Sequence, residues 1–282
     1  MSAPQATGLT AALAAPFPTC DLMGMALAKT DSAGLLQHLF SRLAGGQGGW
    51  LVTANLDFLR RHARDPAARA LYAGADLRVA DGMPLVWASR LQGQPLPERV
   101  AGSALVWLLV ERAAAEGRSI FFLGSETDIV TRAIAVLRGR WPAIKVAGQV
   151  SPVVDRVPTA AQLEPLRRQL IEARPDIVLV GMGSPKQENL IRALRADLPA
   201  AWMIGVGVTF SFVAGDVRRA PRWVQRVGLE WVWRLGQEPR RLFRRYIIED
   251  LPFAFELFGS AAWRRWRGRR GGAEAPGGGV AS

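Results

Sequence analysis

The 282-residue sequence contains one cysteine, Cys20, and two histidines, His38 and His62. A single thiol excludes an intramolecular disulfide framework and fits a reducing compartment. With so few sulfur and imidazole groups, a Cys/His metal cluster has no material to be built from. Nucleotide signatures are missing as well. No G-x-x-x-x-G-K-[ST] pattern occurs, which argues against a P-loop kinase or ATPase. No strict G-x-G-x-x-G follows the first strand candidate, which weakens a dinucleotide reading. No Asp-x-Asp pair is present, so a metal clamp on a nucleotide diphosphate has no evident seat. Leaving-group charge would then fall to Arg, Lys and helix N-termini. Residues 1–20 lack a basic segment ahead of an apolar one and are broken by Pro16 and Pro18, so no secretory signal is read there. The long uncharged window 198–215 reaches spanning length, yet it holds Gly205, Gly207 and Gly215 and opens on a strand-like run. It reads as a buried strand and loop, in a protein expected to touch a membrane rather than cross it.

Arginine is what the chain has in excess. The formal charge is +12, and residues 216–270 hold fourteen Arg and no Lys against six acids, which is +8 of that total. The same stretch carries Trp223, Trp231, Trp233, Trp263 and Trp266. Indole prefers an interface and guanidinium binds phosphate, so this composition suits anionic lipid headgroups. It also suits nucleic acid, or simply a solvated basic face.

With 49% apolar and 21% charged residues the chain reads as globular and long enough for one sizeable core. Short β-type runs at 50–53, 77–80, 119–123, 144–148, 176–181 and 202–206 alternate with helical patterns at 56–72, 104–115, 127–138, 160–173 and 185–196. Such alternation predicts an α/β fold, a mostly parallel sheet with helices on both faces. After Gly215 the strands stop. Two helices are predicted over 221–235 and 239–258, each opened by a proline, the second kinked at Pro252. The expected organisation is an unstructured N-terminus (1–17), an α/β core (18–215), an Arg/Trp-rich helical appendage (216–262) and a basic, then Gly/Ala-rich tail (263–282), unstructured from 268.

Ligands of an open parallel sheet bind outside the carboxyl ends of its strands. The residues just after the predicted strands are Thr53-Ala54-Asn55, Asp81-Gly82, Gly124-Ser125, Gly181 to Glu188, and Gly205-Val206-Gly207. Small residues there let backbone approach a ligand, and turns leading into helices favour phosphate. This is a nucleotide site in outline. Each piece has a plainer alternative: Ser184, Pro185 and Gln187 match a capping box, Asn55 an N-cap, and Asp81-Gly82 an ordinary turn.

From about residue 49 to 258 the sequence resembles the WecG/TagA/CpsF family, glycosyltransferase family 26. The matching segments include Val52-Thr53-Ala54-Asn55, Ala80-Asp81-Gly82-Met83-Pro84, Glu98-Arg99-Val100-Ala101-Gly102-Ser103, Gly181 to Glu188, Arg219-Ala220-Pro221, Gly228-Leu229-Glu230-Trp231-Val232-Trp233-Arg234 and Glu238-Pro239-Arg240-Arg241-Leu242. The resemblance implies a Rossmann-like fold of the GT-E type. It implies inverting, metal-independent transfer of N-acetylmannosamine, its uronic acid or a related hexose from a UDP-sugar to a polyprenyl-diphosphate-linked sugar. Carried over, Asp81 matches the proposed general base, Thr53 and Asn55 residues that hold the donor sugar or orient that base, and Gln187 an active-site amide. Arg99 matches a basic residue facing the diphosphate, and Arg234, Arg241 and Arg244 the appendage arginines that complete the site. The expected UDP contacts are Gly124, Ser125, Gly181, Gly183, Ser184, Gly205 and Gly207. Position 211 departs from the pattern, with Ser211 where relatives usually carry Asp.

The resulting expectation is a peripheral enzyme on the cytoplasmic face of the cell membrane. It would work without cofactor, metal or nucleic-acid partner, with homo-oligomerisation left open. Its rivals are an NAD-type oxidoreductase on a similar sheet and a non-catalytic basic protein that binds membrane or nucleic acid.

Overall fold

The structure, a computed structural model, describes residues 16–221, 223–224 and 228–271. Residues 1–15 and 272–282, parts of the two termini expected to be unstructured, lie outside that set. The described chain begins with a hairpin of β1 (Thr19–Leu22) and β2 (Met25–Ala28), which the sequence reading did not include. Its two-residue turn puts Met23 at φ 49° and Gly24 at φ 87°, the positive pair that a tight hairpin needs.

Then follow α1 (Ser32–Ala44), β3 (Gly49–Ala54), α2 (Leu56–Arg64), α3 (Pro66–Ala73), β4 (Leu77–Ala80), α4 (Met83–Gln92) and α5 (Gly102–Glu116). Next come β5 (Ser119–Gly124), α6 (Thr127–Arg140), β6 (Lys145–Val150), α7 (Ala160–Ala173), β7 (Ile177–Gly181), α8 (Lys186–Leu194), β8 (Trp202–Gly205) and α9 (Thr209–Ala214). All six predicted strands are present and form one parallel sheet in the order β4-β3-β8-β7-β5-β6.

Strand alternation builds a core on each face. Trp50, Val52 and Ala54 of β3, with Val178 and Val180 of β7, enter one core; Leu51, Ile177, Leu179 and Ile204 enter the other. Because both faces are covered, the inner strands β3, β8, β7 and β5 read as nearly continuous apolar runs, while the edge strand β6 does not. The fold is Rossmann-like α/β. The helix predicted over 56–72 is two helices. Asp65 leaves the helical region at φ −120°, ψ 110°, and its side chain caps α3 by accepting from the Ala67 amide. In the window 198–215 the expected strand is β8, but the expected loop is largely α9.

The appendage departs further from its predicted two helices. Gly228, at φ 74°, interrupts the first, and α10 runs over Glu230–Gln237. A Cβ on Gly228 would lie 2.7 Å from the Trp87 ring, so the appendage crosses α4 closely at this point. After α11 (Pro239–Phe243) comes a π-helical segment, Arg244–Asp250, and then α12 (Leu251–Gly271). Pro252 cannot donate to the preceding turn, and the turns ahead of it widen, with the Leu251 amide donating to the Tyr246 carbonyl five residues back. The chain thus passes Pro252 by a wide turn. α12 continues unbroken through 263, so residues 263–271 are its last turns. Phe253, Leu257 and Ala261 of α12 are fully buried in the same core as Leu85 and Val86 of α4. Among the described residues no helix is long and apolar enough to cross a membrane.

Candidate active site

The order β4-β3-β8-β7 leaves a crevice where β8, last in sequence, sits between β3 and β7. A cavity of about 480 Å³ opens there, roofed by α10, the π segment and the start of α12. Ten of the predicted site residues line it: Thr53, Asn55, Asp81, Arg99, Gly183, Ser184, Gln187, Gly205, Gly207 and Arg234. They come from four strand ends, the segment between α4 and α5 that carries Arg99, and the appendage.

Asp81 follows β4. Its Oδ2 accepts from the Gly102 amide at 3.0 Å, at the start of α5. The side chain touches the cavity, yet protein atoms crowd it closely. Burial pushes its pKa up to about 7; the Gly102 hydrogen bond and the Arg99 and Arg234 charges pull the other way, and Glu230 adds to the rise. Arg99 is held by Glu230, from its Nη1 to Oε2 at 2.9 Å. The Arg234 guanidinium stacks over the Phe212 ring at 5.0 Å.

The capping-box alternative at 184–187 does not form. α8 starts at Lys186 after Pro185, with no side-chain cap. Gln187 is instead buried, its Oε1 accepting from the Gly207 amide at 3.0 Å and its Nε2 donating to Glu188 at 2.7 Å. Ser184 Oγ accepts from Arg61 at 3.1 Å. Asn55 does cap α2, accepting from the Phe58 amide at 3.2 Å, while also lining the cavity.

Gly124 and Gly181 end β5 and β7, and Ser125 follows β5, but all three lie outside the cavity lining. A Cβ on Gly181 would meet the Phe210 ring at 2.6 Å, and one on Gly124 would meet Met182 at 2.4 Å, so these glycines serve close packing. Arg244 also lies outside the lining. Its side chain is 83% exposed and pairs with Glu249 at 3.3 Å. The i, i+3 spacing from Arg241 gives a shared helix face but not that face's direction, and it is Arg245, one residue on, that reaches the cavity. The Arg241 side chain lies outside the described residues. Ser211 is not in the lining; Phe212 beside it is.

The sequence reading missed a charged cluster along the cavity's other side. Asp57 of α2 pairs with Arg60 at 2.7 Å, with Arg61, and with Arg245 at 3.1 Å. Arg60 also pairs with Glu249 at 2.8 Å and Asp250 at 3.0 Å, so core helix and appendage are joined through one guanidinium. Burial, its largest influence, works to raise the Asp57 pKa, but the Arg61 hydrogen bond and three arginine charges together hold it low. Asp250 is pushed up to about 6 by burial and by Asp57. The available signal was the spacing Leu242, Tyr246, Asp250, Phe253, Leu257, which marks the inward face of the appendage. Among the described residues no group of three or more His, Cys, Asp or Glu side chains is placed to hold a metal ion.

Such a crevice, at the carboxyl edge of a doubly covered parallel sheet and lined by carboxylates and guanidiniums, belongs to a Rossmann-like enzyme. The chain matches the Glycosyl transferase WecG/TagA/CpsF family over residues 20–268 and belongs to it. It is a glycosyltransferase.

Proposed function

We propose that the crevice transfers N-acetylmannosamine, its uronic acid or a related hexose from UDP to a polyprenyl-diphosphate-linked sugar, with inversion and without a metal, in cell-surface polysaccharide synthesis. The observation that carries this reading is the Asp81 carboxyl, deep in the crevice with a pKa of about 7 and flanked by arginines. A general base works best when its pKa lies near the working pH. Asp81 takes the proton of the acceptor hydroxyl as that oxygen bonds to the anomeric carbon. The bond from that carbon to the UDP oxygen breaks on the opposite side, and its electron pair leaves with UDP. Arg99 and Arg234 meet the charge that develops.

Gly183, Ser184, Gly205 and Gly207 lie where backbone can approach the nucleotide. Thr53 and Asn55 orient donor and base, and the Gln187 amide, already bonded to the Gly207 loop, fixes that wall of the pocket. The appendage's outer surface exposes Trp223, Phe243, Ile248, Phe255, Trp263 and Trp266. Trp263 and Trp266 stack at 4.8 Å, and the Arg270 guanidinium lies 3.8 Å over the Trp266 ring. Interleaved indole and guanidinium of this kind suit an anionic lipid surface, with exposed Arg244 available to a headgroup phosphate. The enzyme is read as peripheral on the inner face of the cell membrane.

The test is UDP release over a panel of UDP-sugars with a synthetic lipid-diphosphate sugar, comparing wild type with Asp81→Asn. One donor is expected to support turnover that the variant loses by about 10²-fold or more. Undiminished turnover by Asp81→Asn, or a strict need for a divalent cation, defeats the reading.

A further inference from the structure

An acid occupies the arginine cluster of the crevice. Glu230 opens α10, and besides its 2.9 Å bond to Arg99 it lies 3.9 Å from Arg219 Nε. The side chains are mostly buried, with 15% exposure for Glu230, 17% for Arg99 and 26% for Arg219. One turn along α10, Arg234 enters the same cavity. The Nε groups of Arg219 and Arg234 are buried without a hydrogen-bond partner among the described residues. Buried N–H groups left without acceptors are costly, and they favour any anion that supplies the missing oxygens. A carboxylate and a phosphoryl group offer a guanidinium the same pair of acceptor oxygens. Glu230 already engages Arg99 Nη1, so a phosphoryl oxygen approaching that nitrogen competes with the carboxylate for it.

We infer that Glu230 is a resident competitor for the diphosphate subsite: it holds Arg99, is exchanged for an incoming diphosphate, and reclaims the guanidinium as the product leaves. The inference rests on Arg99 being a diphosphate ligand, as proposed above. Glu230 is then a positioning residue whose charge weakens ground-state binding and speeds release. A purely structural role for the same ion pair makes the opposite forecast, since loss of the pair would loosen Arg99 and weaken binding.

Calorimetric titration separates the two. Wild type, Glu230→Gln and Arg99→Gln are each titrated with UDP, with a short-chain isoprenyl diphosphate and with uridine. Glu230→Gln is expected to bind a diphosphate about tenfold tighter, the scale of removing one competing charge at this depth, with uridine unchanged. Whichever of UDP and the isoprenyl diphosphate gains identifies the ligand that displaces Glu230. If UDP gains, donor KM and kcat fall together as UDP leaves more slowly. Unchanged or weaker diphosphate binding by folded Glu230→Gln overturns the inference, provided Arg99→Gln still weakens it. Undiminished affinity in Arg99→Gln instead overturns the assignment of Arg99 itself. A crystal structure of wild type with UDP gives an answer that does not depend on the variant folding. Arg99 bonded to a phosphate oxygen and parted from Glu230 supports the exchange; an intact Arg99–Glu230 bond with UDP in the crevice ends it.

Discussion

The Gly102 amide donates to Asp81 Oδ2 at 3.0 Å, and a Cβ on Gly102 would come within 3.0 Å of Thr53 Oγ1. Three chain segments therefore meet at one carboxyl: the ends of β3 and β4 and the start of α5. Proximity of this order fixes the direction of Asp81 and keeps water from surrounding it. Its raised pKa follows from that crowding.

Asp81 makes function and stability pull against each other. Its folded pKa, about 7, lies above the usual carboxylate value of 3.8, so the folded state holds the proton more tightly than the unfolded chain. The associated stability is present below pH 4 and is lost as pH rises through 7. Activity moves the other way and should rise through pH 7 as the base ionises. Asp81→Asn is expected to remove transfer yet raise stability at pH 8 by about 3 kcal/mol, a gain that vanishes near pH 4. Melting curves and rate profiles over pH 4–9 check both halves.

Gln187 is positioned by a missing side chain. A Cβ at Gly205 would lie 2.5 Å from Gln187 Nε2, whose amide is buried and committed to Gly207 and Glu188. Gly205→Ala should therefore expel the amide, raise donor KM about tenfold and cost about 1–3 kcal/mol. Gly139→Ala is the control. Its Cβ meets nothing within 4 Å on helix α6, and the exchange should add about 0.5–1 kcal/mol without touching kinetics. Equal kinetic effects from the two would remove the special status of Gly205.

The parts of this site that could be read from sequence are those that follow from strand position. Asp81, Asn55 and Gln187 each come just after a β-type run, and the rule that ligands gather at carboxyl ends needs no coordinates. Gly124 and Gly181 obey the same rule but sit where a neighbouring ring and Met182 need the room, a fact of packing that no local pattern reveals. α1 was missed although Leu35, Leu36, Leu39, Phe40 and Leu43 give it a helical stripe behind the capping Asp31. α2 carries Asp57, Arg60 and Arg61 at ordinary helix-surface spacing, and their inward roles come from tertiary partners: Ser184 of the core for Arg61, and the appendage for Asp57 and Arg60. The choice of Arg245 over Arg244 likewise rests on the three-dimensional course of the π segment ahead of Pro252.

Arg60 is the rivet between α2 and the appendage. Arg60→Ala leaves Asp57 with Arg61 and Arg245, and among the described residues leaves Asp250 with only the 3.7 Å contact from Arg245. Breaking a buried pair on one side costs about 3 kcal/mol. Because Asp250 titrates at about 6, its stabilising protonated form is lost as pH rises through that value. The Arg60→Ala deficit should accordingly be larger at pH 8 than at pH 5, and Asp250→Asn in that background should recover part of it. A deficit that ignores both pH and the second substitution would mean that the rivet's charge is irrelevant.

Two phenylalanines one turn into α12 separate packing from surface recognition. Phe253 is fully buried against the core that includes α4, whereas Phe255 is 72% exposed and outside that core. Phe253→Ala should cost about 3–5 kcal/mol and lower the melting temperature sharply. Phe255→Ala, alone or with Trp266→Ala, should stay within about 0.5 kcal/mol of wild type in stability. If the outer face meets lipid, the double variant loses sedimentation with vesicles containing anionic phospholipid, and keeps its rate on a short, water-soluble acceptor. Binding to those vesicles as strong as wild type would detach the exposed indole and phenyl groups from any role at a membrane, leaving the arginines to explain association by charge alone.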